Sequence, residues 1–295
     1  MSNAPDRSAN MACAPPEIAR ARTLPEIFNA RAALTPKLLA YREYDARRRS
    51  WIDWTWAAMA AEVARWRRAL AGEQFPAGSR IGVLMASGVT YVCADQAALS
   101  LGLVTVPVHQ TDNPGNVGFV LRDSEVSALV IDNPDYWVEL APEVAALASL
   151  KRIVIVSDSE AAGSLATDPR AIRAVPWLES ARPPEAPGPA VSPEMMAAIV
   201  YTSGTTGRPK GVMLSHRNVV SNVLSVLKRV QPSTEDVFLS FLPLSHTLER
   251  TAGYYLPIAT GSVVAYARSI AQLGDDMRTI RPTVLVSVPR IYERA

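Results

Sequence analysis

Cysteine is nearly missing from this sequence: Cys13 and Cys93 are the whole complement. One lies near the start and one inside an apolar run, which gives neither a disulfide framework nor a set of metal ligands. A reducing, cytoplasmic setting is expected. Long apolar runs are lacking too, since none approaches the ~20 residues that a membrane-spanning helix needs. Residues 1–20 are rich in Ala, Pro, Ser and Asn and lack the charged-then-apolar order of a secretory leader, so a disordered tail is expected there. Excess charge of one sign is also absent. Thirty basic residues against 28 acidic ones leave a net charge of +2, which implies no bulk attraction to nucleic acid or membrane. Peripheral membrane contact and a homodimer are both compatible with this composition.

What is present is an alternation of patterns over 295 residues, with 48% apolar and 20% charged side chains. That is enough chain for two lobes, each with its own core. TLPEIFNARAAL and TWAAMAAEVARWRRAL carry helical spacing, and Thr55 is placed to cap the second. RIGVLMAS, LVTVPVH, ALVID and RIVIVSD are apolar enough to be buried strands. Helical segments separate them: VTYVCADQAALSLG, NPGNVGFVLRDS and YWVELAPEVAALASL. This order predicts an α/β fold, with two lobes of mostly parallel sheet flanked by helices. A proline-rich stretch, SARPPEAPGPAVSPE, interrupts it, and we place a linker at 186–194 between a first α/β subdomain, 21–185, and a second, 195–295. In the second, MMAAIVYT, VFLSFLP, SVVAYA and PTVLVSV are expected strands and SHRNVVSNVLSVLKRV an amphipathic helix. The stripe Val219, Val220, Val223, Leu224 and Leu227 on that helix is assigned to core. Trp51, Trp54 and Trp56 flank a short expected strand and are given packing roles.

The segment most informative about chemistry runs from Tyr201 to Gly211, YTSGTTGRPKG. It follows an apolar strand, so its hydroxyls and amides emerge at a strand's C-terminal end, where open α/β sheets bind ligands. Gly204, Gly207 and Gly211 permit tight curvature and close approach. Thr202, Ser203, Thr205 and Thr206 bring hydroxyl donors, and successive amides can form an anion-binding concavity. Only four lysines occur in the chain (Lys37, Lys151, Lys210 and Lys228), so one inside this loop stands out. At 4 Å from an anion the Lys210 charge is worth about 4 kcal/mol at an effective dielectric of 20. Together these groups suit a polyphosphate. The Walker pattern GxxxxGK[ST] cannot be laid over them. A Gly/Ser/Thr surface linker is the plain alternative, but a floppy linker is out of place between an apolar strand and an amphipathic helix.

The string YTSGTTGRPKGVMLSH resembles the phosphate-binding signature of the adenylate-forming, AMP-binding superfamily, which includes acyl-CoA synthetases, luciferases and peptide-synthetase adenylation domains. Its eight fixed positions at roughly 7% usage each give a chance match on the order of 10⁻⁹ per window. The resemblance implies that Thr202, Ser203, Gly204, Thr205, Thr206 and Gly207 hold the β- and γ-phosphates of ATP. It implies further that a loop threonine, for which we take Thr206, helps to hold Mg²⁺, and that Lys210 positions pyrophosphate or orders the loop.

A second segment, Phe241-Leu-Pro-Leu-Ser-His-Thr-Leu-Glu-Arg250, is similar to long-chain fatty acyl-CoA synthetases, as is Val288-Pro-Arg-Ile-Tyr near the end. By that likeness His246 borders the acyl pocket and the α-phosphate, and TAGYYLPIA walls an acyl tunnel. The competing reading of His246 is a helix-start histidine bonded to backbone. Glu249 and Arg250 are read at least as readily as a charged pair on a solvated face, His109 as a loop position, and His216 as the first turn of a helix.

The reaction implied by the resemblance has two steps: a carboxylate, by this likeness a long-chain fatty acid, attacks ATP to give acyl-AMP and pyrophosphate, and coenzyme A then displaces AMP. Members of the superfamily are roughly twice as long, and the adenine-contacting, ribose-binding and mobile C-terminal parts have no counterpart here, so the expectation is an N-terminal fragment that is poor at ligation. Two alternatives stay open: an adenylating enzyme with another thiol acceptor, and a non-catalytic nucleotide- or acyl-binding protein.

Overall fold

The structure, a computed structural model, describes residues 14–157, 168–182, 188–202 and 208–289. The chain opens with helices α1 (Pro16–Arg20) and α2 (Leu24–Leu34), then strands β1 (Leu39–Asp45) and β2 (Ser50–Thr55) and the long helix α3 (Trp56–Gly72). A strand–helix alternation follows: β3 (Arg80–Leu84), α4 (Val89–Ser100), β4 (Val104–Pro107), α5 (Pro114–Asp123), β5 (Ala128–Ile131), α6 (Pro134–Val144) and β6 (Arg152–Ile155). Beyond it lie β7 (Ala171–Arg173), α7 (Ala174–Ser180), the hairpin β8 (Met196–Thr202) and β9 (Lys210–Ser215), and α8 (His216–Leu227). The last part holds β10 (Val237–Ser240), a π-helix (Glu249–Tyr255), α9 (Leu256–Thr260), β11 (Val263–Tyr266) and α10 (Leu273–Ile280).

Two sheets result. One has seven strands in the order β7-β6-β5-β3-β4-β8-β9, the other four in the order β10-β11-β1-β2. Every pairing is parallel except the β8–β9 and β1–β2 hairpins. The parallel strands read as unbroken apolar runs because both faces are covered. In β5, Ala128 and Val130 join one core while Leu129 and Ile131 join the other. β3 and β6 divide in the same way, with Val83 and Val154 on one face and Leu84, Ile153 and Ile155 on the other. Helices α5 and α6 close the second face through Val117, Leu121, Trp137 and Leu140. The first face packs on α3 and α4, and its core continues without a break into Tyr41, Phe238 and Tyr266 of the four-stranded sheet. Each fully buried Val, Leu or Ile contributes about 1.5–3 kcal/mol of transfer free energy. This shared core fixes how the two sheets sit.

Several local expectations are met by named contacts. Thr55 Oγ1 accepts from the Ala58 amide at the start of α3, and Trp56 is buried against the rings of Phe28 and Tyr41. Val219, Val220 and Val223 are buried, with Leu224 and Leu227 packed on the same core.

Other expectations need correction. β9 is a strand, not a continuation of the glycine-rich loop, and β1 forms where the sequence pattern predicts no strand. PTVLVSV forms a single bridge, Val284 to Phe238, in place of a full strand. The sheets also do not divide at the proline-rich stretch. β8 and β9 add to the sheet of β3–β7, and β1 and β2 add to the sheet of β10 and β11, so a boundary at 186–194 cuts across both.

Candidate functional site

The β8–β9 hairpin positions the two ends of the glycine-rich segment. Thr202, the last residue of β8, pairs with Lys210, the first of β9, and both side chains are exposed. Ser203, Gly204, Thr205, Thr206 and Gly207 lie outside the described residues, as do Arg290 to Ala295 with the Ile291 and Tyr292 of the closing motif. One step along the ladder Tyr201 faces Gly211. A Cβ at Gly211 would stand 2.9 Å from Ile199 and 3.0 Å from the Tyr201 ring, so glycine is needed for the ring to lie across its partner strand. Tyr201 in turn donates to Asp123 at 2.6 Å and Arg208 stacks over Phe119 at 5.9 Å. Both contacts tie the hairpin to α5.

β8 runs parallel to β4, with Ala198 opposite Thr105. Thr202 therefore leaves the seven-stranded sheet at its C-terminal edge, the edge where the chain leaves neighbouring β4 two residues before His109. That edge also meets the second motif. Ser87, just past β3, donates to the Leu242 carbonyl at 3.4 Å and accepts from the Leu244 amide at 3.1 Å. Beside it the Ala86 amide donates to Asp132 at the end of β5, at 2.7 Å. His246 itself is exposed, and its ring meets that of His109 at 5.5 Å and 67°, edge to face. Partial burial, and then the neighbouring His109, push the His246 imidazole below its ordinary value, against the pull of Asp112. No hydrogen bond from this imidazole to backbone is present among the described residues. The hairpin ends Thr202 and Lys210, His109 and His246 thus share one sheet edge. A separate concavity of about 910 Å³ around Trp137, Ala141, Leu150 and Arg170 lies by the starts of β6 and β7, at the opposite edge, and holds none of the residues singled out above.

Glu249 and Arg250 do not form a solvated pair; both are buried. Arg250 Nη2 donates to Asp95 at 2.7 Å and to Thr105 at 3.2 Å, and Nη1 donates to Tyr91 at 3.0 Å. The hydroxyls of Tyr254 and Tyr255 both donate to the other Asp95 oxygen at 3.0 Å, while Gln96 donates to Tyr254 at 2.8 Å. The tyrosines in TAGYYLPIA accordingly turn into a polar network joining α4, β4 and the π-helix. Glu249 accepts from Ser240 at 2.6 Å, and burial lifts its carboxyl to about 7. Its side chain fills the space a Cβ at Gly253 would need. His216, as expected, opens α8, but it is buried and its Nδ1 accepts from the Leu24 amide at 3.3 Å. Burial lowers its ring to about 4. No helix among the described residues is long and apolar enough to cross a membrane.

Known proteins resemble this chain in sequence and fold. The chain is 32% identical over 225 residues to long chain acyl-CoA synthetase 7, peroxisomal, of Arabidopsis thaliana, a match covering 74% of this chain and 31% of that protein. It is 31% identical over 231 residues to the same plant's long-chain-fatty-acid–[acyl-carrier-protein] ligase AEE15, chloroplastic, again covering 74% of this chain and 31% of the relative. The chain spans about a third of the length of the curated relatives it matches. In fold it follows the inhibitor-bound N-terminal domain of FACL13 from Mycobacterium tuberculosis, with a TM-score of 0.75 at 23% identity over 92% of this chain and 64% of that one. The sequence pattern of the AMP-binding enzymes matches residues 28–295, a span that takes in both sheets, the hairpin and the His246 segment, and this chain belongs to that family.

Proposed function

We propose that this chain supplies the phosphate-gripping and acyl-facing part of an ATP-dependent ligase that activates a carboxylic acid, a long-chain fatty acid by the names of its relatives. The observation that carries the reading is the juxtaposition of Thr202 with Lys210 at the C-terminal edge of a parallel sheet, beside the His246 segment held by Ser87. The exposed Thr202 and the Lys210 charge suit a polyphosphate and its hard cation. In this reading Thr202, Ser203, Gly204, Thr205, Thr206 and Gly207 hold the β- and γ-phosphates, and Lys210 neutralises pyrophosphate as it departs. Thr206 would help to hold Mg²⁺, which when bound spreads the charge of the phosphates. His246 faces the junction of carboxylate and α-phosphate.

The carboxylate oxygen attacks the α-phosphorus, forming acyl-AMP as the bond to pyrophosphate breaks. A thiol then attacks the acyl carbon, AMP leaves, and the thiol proton passes to solvent. Bringing one anion to another makes orientation and fixed positive charge the main contributions of the protein. Coenzyme A is the acceptor on the synthetase relative's name, and a carrier-protein thiol is the second reading, favoured by the acyl-carrier-protein ligase.

The test is calorimetric titration with Mg·ATP, with and without palmitate. Lys210→Ala and Thr206→Ala are each expected to weaken Mg·ATP binding about tenfold or more while leaving the unfolding midpoint nearly unchanged. Binding equal to that of the parent in both variants would overturn the assignment.

A further inference from the structure

His109 reads in the sequence as an ordinary loop residue, yet it stands between the two segments that the proposed function relies on. It follows β4, the neighbour of the strand that ends at Thr202, and its ring meets His246 edge to face at 5.5 Å. Its own orientation is fixed from behind. The Thr111 amide donates to His109 Nδ1 at 3.2 Å, and the Thr111 hydroxyl lies 2.9 Å from the same atom. A backbone amide can only donate, so Nδ1 is the acceptor and the neutral ring carries its proton on Nε2. The following turn is held in its turn, since Tyr136 of α6 donates to the Asp112 carbonyl at 2.6 Å.

We propose that His109 is a positioning residue of the His246 site: anchored by Thr111, its ring braces the His246 imidazole and joins it to the sheet edge that carries Thr202. The role of this site in acid activation rests on the function proposed above, whereas the bracing itself does not. An exposed imidazole with no bracing neighbour would sample several rotamers. Contact with a fixed aromatic ring limits them. The titratable groups acting on His246 are His109 and Asp112, both on the segment after β4. Two imidazoles in contact resist becoming cations together, and this bracing therefore also keeps His246 neutral to lower pH.

The chain has three histidines, so ¹⁵N-histidine NMR resolves each ring, and buried His216 serves as the internal report of native fold. In the parent, His109 is expected as the Nε2–H tautomer. His109→Phe keeps the ring edge and removes the second titrating group, and His109→Ala removes both. The His246 titration midpoint should be lowest in the parent, higher in His109→Phe and highest in His109→Ala, while its ring-current shift should be lost only in His109→Ala. A filler role for His109 would leave the midpoint unmoved in His109→Phe. An unmoved midpoint, or an Nδ1–H tautomer, overturns the proposal. Added Mg·ATP should shift the His109 and His246 signals and spare His216. With the midpoint order as expected, unmoved signals would instead overturn the nucleotide reading and leave the bracing standing.

Discussion

The salt bridge between Asp95 and Arg250 shows how far the worth of a charged side chain depends on its surroundings. Their side chains are 0% and 5% exposed, and Arg250 also gives hydrogen bonds to Tyr91, Thr105 and Tyr255. Asp95→Asn keeps the shape and leaves the guanidinium buried without a counter-charge. A loss of about 3–5 kcal/mol is expected, read as a lower denaturant midpoint at unchanged slope. By contrast, Arg278→Ala, which removes an exposed pair with Asp275, should cost less than about 1 kcal/mol. Comparable losses in the two variants would contradict the network. Glu249 gives a pH-dependent counterpart. Burial raises its carboxyl from 4.5 to about 7, so the folded chain keeps a proton that the unfolded chain releases across that interval. Its contribution to stability is full below pH 4.5 and is lost as pH rises through 7. Glu249→Gln should flatten this decline and raise stability at pH 8, by up to the order of 3 kcal/mol. Urea melts between pH 5 and 8 that keep the parent's slope would count against it. None of this was legible in the sequence. Adjacent Glu249 and Arg250 look like a surface pair because Asp95, Tyr91 and Thr105, which hold Arg250, lie about 150 residues away, and His109 lacks any local mark of its contact with His246.

At the scale of elements, legibility followed burial. The strands β3 to β6 stand out as apolar runs because helices cover both of their faces, and the intervening helices were found for the same reason. β9 is hidden in the sequence because its first four residues are exposed on both sides, so Val212 and Met213 leave no alternating signature and Gly211 reads as loop. Helix starts were readable where a side chain closes them. Ser215 caps α8 in a reciprocal box with Asn218, and Thr55 caps α3. Ser215→Ala and Thr55→Ala should each lower stability by about 1 kcal/mol, measured as a shift in thermal midpoint. Ser215 stands beside His216, whose Nδ1 holds the start of α2, so its loss should also quicken hydrogen exchange at the Leu24 amide. An unchanged exchange rate there, with α8 destabilised, would show the two helix ends to be independent.

For the whole molecule, the chain order gives little warning of how the sheets are built. The proline-rich stretch looks like a boundary, but strands on either side of it complete both sheets. Pairing over such separations is fixed by the common core and not by any local signal. The result brings Thr202, Lys210, His109 and the Ser87-held His246 segment to one edge of the seven-stranded sheet, whereas the Trp137 and Arg170 concavity lies at the other. The most direct test of that placement is amide hydrogen exchange on the chain with and without Mg·ATP. Slowed exchange should appear in 200–212, in 108–112 and in 241–250, and should vanish in Lys210→Ala. Protection confined to 137–150 and 168–172, or none at all at a nucleotide concentration that saturates binding, would contradict a phosphate-gripping hairpin at this edge.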